Sequence, residues 1–302
     1  MRKILAAPVA VLALLAPSVA PAAADPTTVI LLPGARSAEP ITNGPGTTFY
    51  AGDMVKGDIY RGDVRRGTAE LFLDVPDGVE TVGLDLDIRH GLLFAAGGSN
   101  KAYVYDIRTR TRVAAYTFGD PDTSLVNDVV LTPYGAWFTD SLQPRLYFVP
   151  SLFGHLGRPH TLPLTGCAAG TPGVFNLNGI ESTPSGGTLL VAPASGELCT
   201  INPLNGSSRA VADVTVPFSD SMVLDGRDLW ATHFDNTVTR LHLSDDLTSG
   251  TLEATTSDDA FGFPLGIEKF DDRLAIVNGH LDTGVPPTNP TYEVVVIDAD
   301  FQ

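Results

Sequence analysis

Apolar and polar residues alternate along this chain in short runs, each closed by Gly, Asp, Asn or Pro. Thr47-Thr48-Phe49-Tyr50-Ala51, Asp58-Ile59-Tyr60-Arg61 and Glu70-Leu71-Phe72-Leu73 form one such set. A second set is Gly91-Leu92-Leu93-Phe94-Ala95, Ala102-Tyr103-Val104-Tyr105-Asp106 and Val113-Ala114-Ala115-Tyr116, and a later one holds Asp228 to Thr232 and Thr237 to Leu241. A period of two sends alternate side chains to opposite faces, as a pleated strand requires, and the Gly and Asp between runs supply the turns. Apolar residues nowhere recur at helical spacing beyond two turns, so the pattern predicts an all-β chain.

The runs belong to a longer repeat. A small or polar residue and an aliphatic one precede each set in Glu39-Pro40-Ile41, Val82-Gly83-Leu84, Asn127-Asp128-Val129, Asn178-Gly179-Ile180, Asp220-Ser221-Met222 and Leu265-Gly266-Ile267. These segments lie about 42 to 51 residues apart, room for four short strands each. Six such units predict a six-bladed β-propeller with four-stranded blades; a β-sandwich, the rival all-β fold, gives no reason for six equivalent repeats. The last copy, through Arg273 to Gly279 and Glu293 to Ile297, lacks an outermost strand, whereas Thr27 to Leu32 is a strand with no blade of its own. It is expected to close the sixth blade and so cover two exposed sheet edges.

The first residues change the picture of the ends. Arg2 and Lys3, an apolar run from Ile4 to Leu15 broken by Pro8, and Ala22-Ala23-Ala24 make the three parts of a secretory signal peptide. Residues 1–24 are thus expected to be removed, leaving 25–302 as the propeller, a secreted or extracytoplasmic protein with no stable membrane span. The chain carries 19 Lys and Arg against 35 Asp and Glu, a formal charge of −16, which argues against a nucleic-acid partner. Its two cysteines, Cys167 and Cys199, fit one disulfide in an oxidising compartment, with two separate buried thiols as the competing reading.

In a propeller the innermost strands line a central channel, so the first positions of the repeat converge: Glu39, Val82, Asn127, Asn178, Asp220 and Leu265. Two carboxylates and two amide carbonyls in one ring are hard ligands suited to Ca²⁺ and compatible with Mg²⁺ or Mn²⁺. Turn or strand-end hydrogen bonding is the plainer role for any one of them.

At these residues the chain resembles the regucalcin and gluconolactonase family of calcium-containing six-bladed propellers. Val126-Asn127-Asp128-Val129-Val130 running into Gly135 to Asp140 looks like the family's Asn-Asp blade, and Asp220 to Asp225 followed by Asp228 to Thr232 is similar to its Asp-Gly-Met blade. Asn178-Gly179-Ile180 looks like its Asn-Gly-Leu segment, and Glu39 falls at its first-blade glutamate. The resemblance implies one divalent cation, Ca²⁺ foremost with Mg²⁺, Mn²⁺ or Zn²⁺ behind it, held by Glu39, Asn178 and Asp220. Asn127 is then the substrate contact and Asp220 the catalytic carboxylate of a lactone or ester hydrolase working as a monomer. The alternative is a non-catalytic ligand-binding or protein-interaction propeller with a structural metal. Leu125 stands where the sugar-lactone members carry Arg, Pro40 follows Glu39 where Gly is common, and Ser221 replaces a Gly. Sugar-acid lactones lose support accordingly, and a more apolar lactone or ester stands beside them. Strictosidine synthase-like and arylesterase–lactonase propellers are similar too.

Other chemistry has little footing. There is no Gly-x-Ser-x-Gly elbow, no P-loop and no histidine pair at metal spacing. His233, just after a strand, is a minority candidate for proton transfer, and His155 and His160 sit in a Gly/Pro-rich stretch expected to be a solvated loop. Trp137 and Trp230 occupy equivalent second-strand positions and are expected to pack between blades. The loops Gly166 to Gly173 and Asp282 to Thr291 are candidates to roof the channel mouth.

Overall fold

The computed structural model describes residues 27–301; the signal-peptide expectation for residues 1–24 lies outside them. Six antiparallel sheets follow one another along the chain, and the only helical elements among the described residues are two 3₁₀ turns, Gly166–Ala168 and Leu281–Thr283. The fold is the all-β, six-bladed propeller that the repeat predicts. Blade one is Ile41–Asn43, Thr48–Gly52, Ile59–Asp63 and Thr68–Leu73, from channel to rim. Blade two is Gly83–Asp87, Leu92–Ala96, Lys101–Asp106 and Thr111–Thr117. Blade three is Val126–Thr132, Gly135–Asp140, Arg145–Leu152 and His160–Pro163. Blade four is Leu177–Ser182, Leu189–Pro193, Glu197–Ile201 and Ser208–Thr215, and blade five is Ser219–Asp225, Asp228–His233, Thr237–Leu243 and Gly250–Thr256. Blade six takes Pro264–Phe270, Arg273–Asn278 and Glu293–Asp298 from the end of the chain and Thr28–Leu31 from its beginning.

That last pairing closes the ring in the register Thr28↔Val296 to Leu31↔Glu293 and gives Glu293–Asp298 a partner on its outer side. One expectation is corrected: His160 is not in a loop but opens the outer strand of blade three, pairing with Phe148, while His155–Leu156 folds back on Leu152 as a small hairpin. Gly154 and Pro159 interrupt the alternation there, which hides the strand from a period-two reading.

The core lies between blades, as the alternation requires. Phe94 and Val104 of blade two meet Val129, Phe138 and Tyr147 of blade three, and Trp230 and Val223 of blade five meet Ile276 and Val295 of blade six. Strand Leu92–Ala96 is buried at every position because both its faces are covered by neighbouring blades. Near the axis the inner strands approach closely at three points. Gly83, Gly179 and Gly266 occupy the second repeat position in blades two, four and six, and each abuts the backbone carbonyl of the next blade's first-position residue: Asn127, Asp220 and Glu39. Space, not an unusual φ, is what calls for glycine at these three sites.

Cys167 and Cys199 are bonded, with their Cα atoms 6.2 Å apart. The bond and the hydrogen bonds of the Ser208 hydroxyl to Ala168 and Thr165 hold the start of the Gly166 to Gly173 loop against blade four.

Candidate functional site

Four of the six first-position residues are set in place by β-bulges. The ladder between inner and second strands slips across Val126/Val129, Leu177/Ile180, Ser219/Met222 and Pro264/Ile267, so Asn127, Asn178, Asp220 and Leu265 each fall in an unpaired stretch. A bulge bends the strand and re-aims its side chains, which is how successive polar residues reach the axis here. The N–H groups freed in two of the bulges are satisfied by threonines on the second strand: Asp128 N–H donates to Thr139 Oγ1 at 2.9 Å and Ser221 N–H to Thr232 Oγ1 at 3.3 Å. Glu39 is held differently. Its N–H donates to the Gly52 carbonyl and its own carbonyl accepts from Gly266, tying blade one to blade six. Pro40 cannot donate to the ladder, and the inner strand of blade one starts only at Ile41.

Glu39, Val82, Asn127, Asn178 and Asp220 converge on one small channel cavity of about 20 Å³. Leu265 does not join them: it is fully buried, and Gly266 lines the cavity in its stead. The polar members are linked around the ring. Asn127 Nδ2 donates to Asn178 Oδ1 at 2.8 Å, and Asn178 Nδ2 donates to Asp220 Oδ1 at 2.7 Å. Glu39 is 8% exposed, yet its Oε2 is buried with no hydrogen-bond partner among the described residues. Burial first, then the nearby Asp220, Asp128 and Glu80 carboxylates, hold its carboxyl well above the usual range. Burial likewise pushes Asp220 up to about 6, with the Asn178 N–H pulling the other way.

A buried carboxylate oxygen without a donor is costly unless a cation or water meets it. The cavity has room for one water-sized occupant, and beside the apolar Val82, Pro40 and Ile41 the polar side chains around it, Glu39, Asn127, Asp128, Asn178, Asp220 and Ser221, all carry hard oxygen donors. Glu39, Asn178 and Asp220 therefore fit a single divalent cation of the hard class.

The motif reading missed several residues. Ser141 orients Asn127: its Oγ accepts from Asn127 Nδ2 at 2.9 Å and donates to the Leu177 carbonyl at 2.5 Å. Further along the channel a second acidic belt lines a cavity of about 210 Å³ with Asp85, Asp128, Glu181 and Glu268. These carboxylates lace blades together. Asp85 accepts the Leu131 N–H, Asp128 the Ile180 N–H and Glu268 the Asn43 N–H, each across a blade boundary. Burial raises all four, Asp85 to about 6, Glu268 to about 7 and Asp128 to about 8. The available signal was an acid three residues after the first position in blades two, four and six, at Asp85, Glu181 and Glu268. His233 has no free nitrogen for proton transfer: Nδ1 lies 2.8 Å from the Pro217 carbonyl and Nε2 2.8 Å from Thr239 Oγ1.

No family model matches the chain, and no curated protein matches it in sequence. Solved structures do share its fold. The major allergen Mala s 1 of Malassezia sympodialis is 13% identical with a TM-score of 0.71, over 93% of this chain and 98% of that one. A protein from Lactobacillus plantarum is 18% identical with a TM-score of 0.57, over 80% and 77%. The β-propeller domain of Cps50 (Swd1) from Myceliophteria thermophila is 15% identical with a TM-score of 0.60, over 83% and 82%. At such identities the likeness is one of fold, and the chain is a six-bladed β-propeller protein.

Proposed function

We propose that this protein is an exported hydrolase of a small lactone or ester, with one divalent cation held in the channel by Glu39, Asn178 and Asp220. The observation that carries the reading is the buried, unpartnered Glu39 Oε2 in a cavity shared with Asn178 and Asp220. Bound there, a cation, Ca²⁺ foremost and Mg²⁺, Mn²⁺ or Zn²⁺ as alternatives, supplies Lewis acidity to an ester carbonyl.

The chain's own groups do the rest. Asp220, with its carboxyl raised toward neutrality, takes the proton of an attacking water and returns it to the departing alkoxide. Asn127 spends its N–H groups on Ser141 and Asn178, which leaves its Oδ1 to accept a hydrogen bond from water or a substrate hydroxyl. The disulfide accords with export. No helix among the described residues is long and apolar enough to cross a membrane.

The test is thermal unfolding of chelated protein titrated with each cation, followed by turnover on a panel of lactones and esters. A cation bound only by the folded state adds about 2.7 kcal/mol at a hundredfold excess over its dissociation constant, and Asp220→Ala should abolish that gain. Asp220→Asn should remain folded and lose at least about a hundredfold in turnover. Stabilisation without turnover on any ester would leave a non-catalytic propeller with a structural metal. No stabilisation by any of the four cations would overturn the metal reading and the hydrolase reading with it.

A further inference from the structure

A second concave site lies at the opposite end of the blades. Asn127 and Asn178 sit near the start of their inner strands, whereas a pocket of about 610 Å³ is bordered by the turns that follow those strands, at Tyr134 in blade three and Ser185-Gly186-Gly187 in blade four. Trp137, Phe148 and Leu162 line it from blade three, and Pro203-Leu204 border it from the outer turn of blade four. The volume falls in the range of small-molecule sites, which are mainly apolar with a few polar groups.

Three observations say what it takes. First, the two tryptophans at equivalent positions are treated differently. Trp230 donates its indole N–H to the Ala299 carbonyl at 3.1 Å, and the Lys269 ammonium lies 5.4 Å from its ring centre. Trp137 is only 7% exposed and stacks on Phe148 with ring centres 4.5 Å apart, yet its indole N–H has no acceptor among the described residues. With no protein acceptor, and not among the buried unsatisfied atoms, this N–H of a pocket-lining residue is open to water or to a ligand oxygen. Second, the pocket is bordered by no Asp, Glu, Lys or Arg, in a chain that carries 54 of them (19 + 35). Third, the floor is kept open by glycine. A Cβ on Gly187 would meet only the Ser185 hydroxyl, and Gly186 is in the left-handed region at φ +67°. Leu204, 90% exposed, and Tyr134, 58% exposed, form apolar lips that water alone would not select.

We propose that this pocket between blades three and four binds a neutral, largely apolar small molecule whose carbonyl or hydroxyl oxygen accepts the Trp137 N–H. The site is separate from the channel cavity and stands whether or not the channel is catalytic.

The probe is Nile red, a neutral fused-ring ketone, added to the full protein carrying Trp230→Phe so that Trp137 is the sole tryptophan. The expected result is saturable one-to-one binding with quenching of Trp137 fluorescence. Trp137→Phe, which keeps a ring on Phe148 and removes the N–H, should weaken binding roughly two- to tenfold. Leu204→Asp, at an exposed position that leaves the fold intact, should weaken it more than tenfold, and Asp220→Ala should leave it unchanged. Dye uptake that never saturates would overturn the proposal. So would an affinity indifferent to both pocket variants, or one lost in Asp220→Ala, which would place the dye in the channel.

Discussion

Gly179→Ala tests the close approach of inner strands on which the channel site depends. A Cβ at this position would lie 2.8 Å from the Asp220 carbonyl oxygen and 3.1 Å from Ser221 Cα. Both are backbone atoms of the neighbouring inner strand, Ser219–Asp225, so no flexible side chain can yield. Relief requires moving one strand against the other by several tenths of an ångström. Overpacking of this kind costs about 1–3 kcal/mol, and the smaller unfolded-state entropy of Ala returns about 0.4–1 kcal/mol. The net expectation is a loss of about 1–2 kcal/mol, read in calorimetry as a fall in Tm of about 2–6 °C. Because the displaced strand carries Asp220, the Asn178 to Asp220 hydrogen bond at 2.7 Å lengthens too, and cation affinity should fall with stability. Gly187→Ala is the control: its φ lies outside the left-handed region and its Cβ would meet only the Ser185 hydroxyl, a rotatable group and not backbone, at 3.2 Å, so Tm should change by less than about a degree. A Gly179→Ala protein that melts with or above the parent and binds cation equally would refute the argument from close approach.

Two further outcomes follow from the channel and the disulfide. Asp85, Glu268 and Asp128 have folded pKa values raised to about 6, 7 and 8, above their unfolded values near 4, so the folded state holds protons that the unfolded state has already released. In chelator, stability should therefore decline as pH rises from about 4 to 8 and level off above, as urea midpoints across that range would record; a midpoint that climbs over the same window would contradict it. Replacing Cys167 and Cys199 together by Ser opens a loop whose ends are 32 residues apart and should cost about 3–4 kcal/mol on the chain-entropy account, with m-values reporting the more expanded unfolded state; an unchanged midpoint would show that blade four holds this loop without help.

Much of this protein was legible one residue at a time, because its determinants are local and repeated. Period-two alternation and Gly or Asp turns mark strands without reference to neighbours, so the blades follow from counting the repeats. The closing strand, Thr28–Leu31, could be foreseen because one repeat lacked a strand and the chain had one to spare. The polar first positions Glu39, Asn127, Asn178 and Asp220 converge because equivalent positions in a ring share an axis. Alternation says which face of a strand is buried, but not what it is buried against. Hence Leu265 yielding its place to Gly266, the tie of Ser141 to Asn127, and the carboxylates Asp85, Asp128 and Glu268 lacing one blade to the next were decided only when the ring closed. The same holds for His233, whose two nitrogens find partners sixteen residues back and six ahead, and for the two tryptophans. Trp137 and Trp230 sit at the same place in the repeat, yet one meets the backbone of the chain's end and the other a pocket floored by two glycines of the next blade. A repeat assigns equivalent positions to its residues; the neighbouring blade assigns their contacts, and those are set by chain segments far away in sequence.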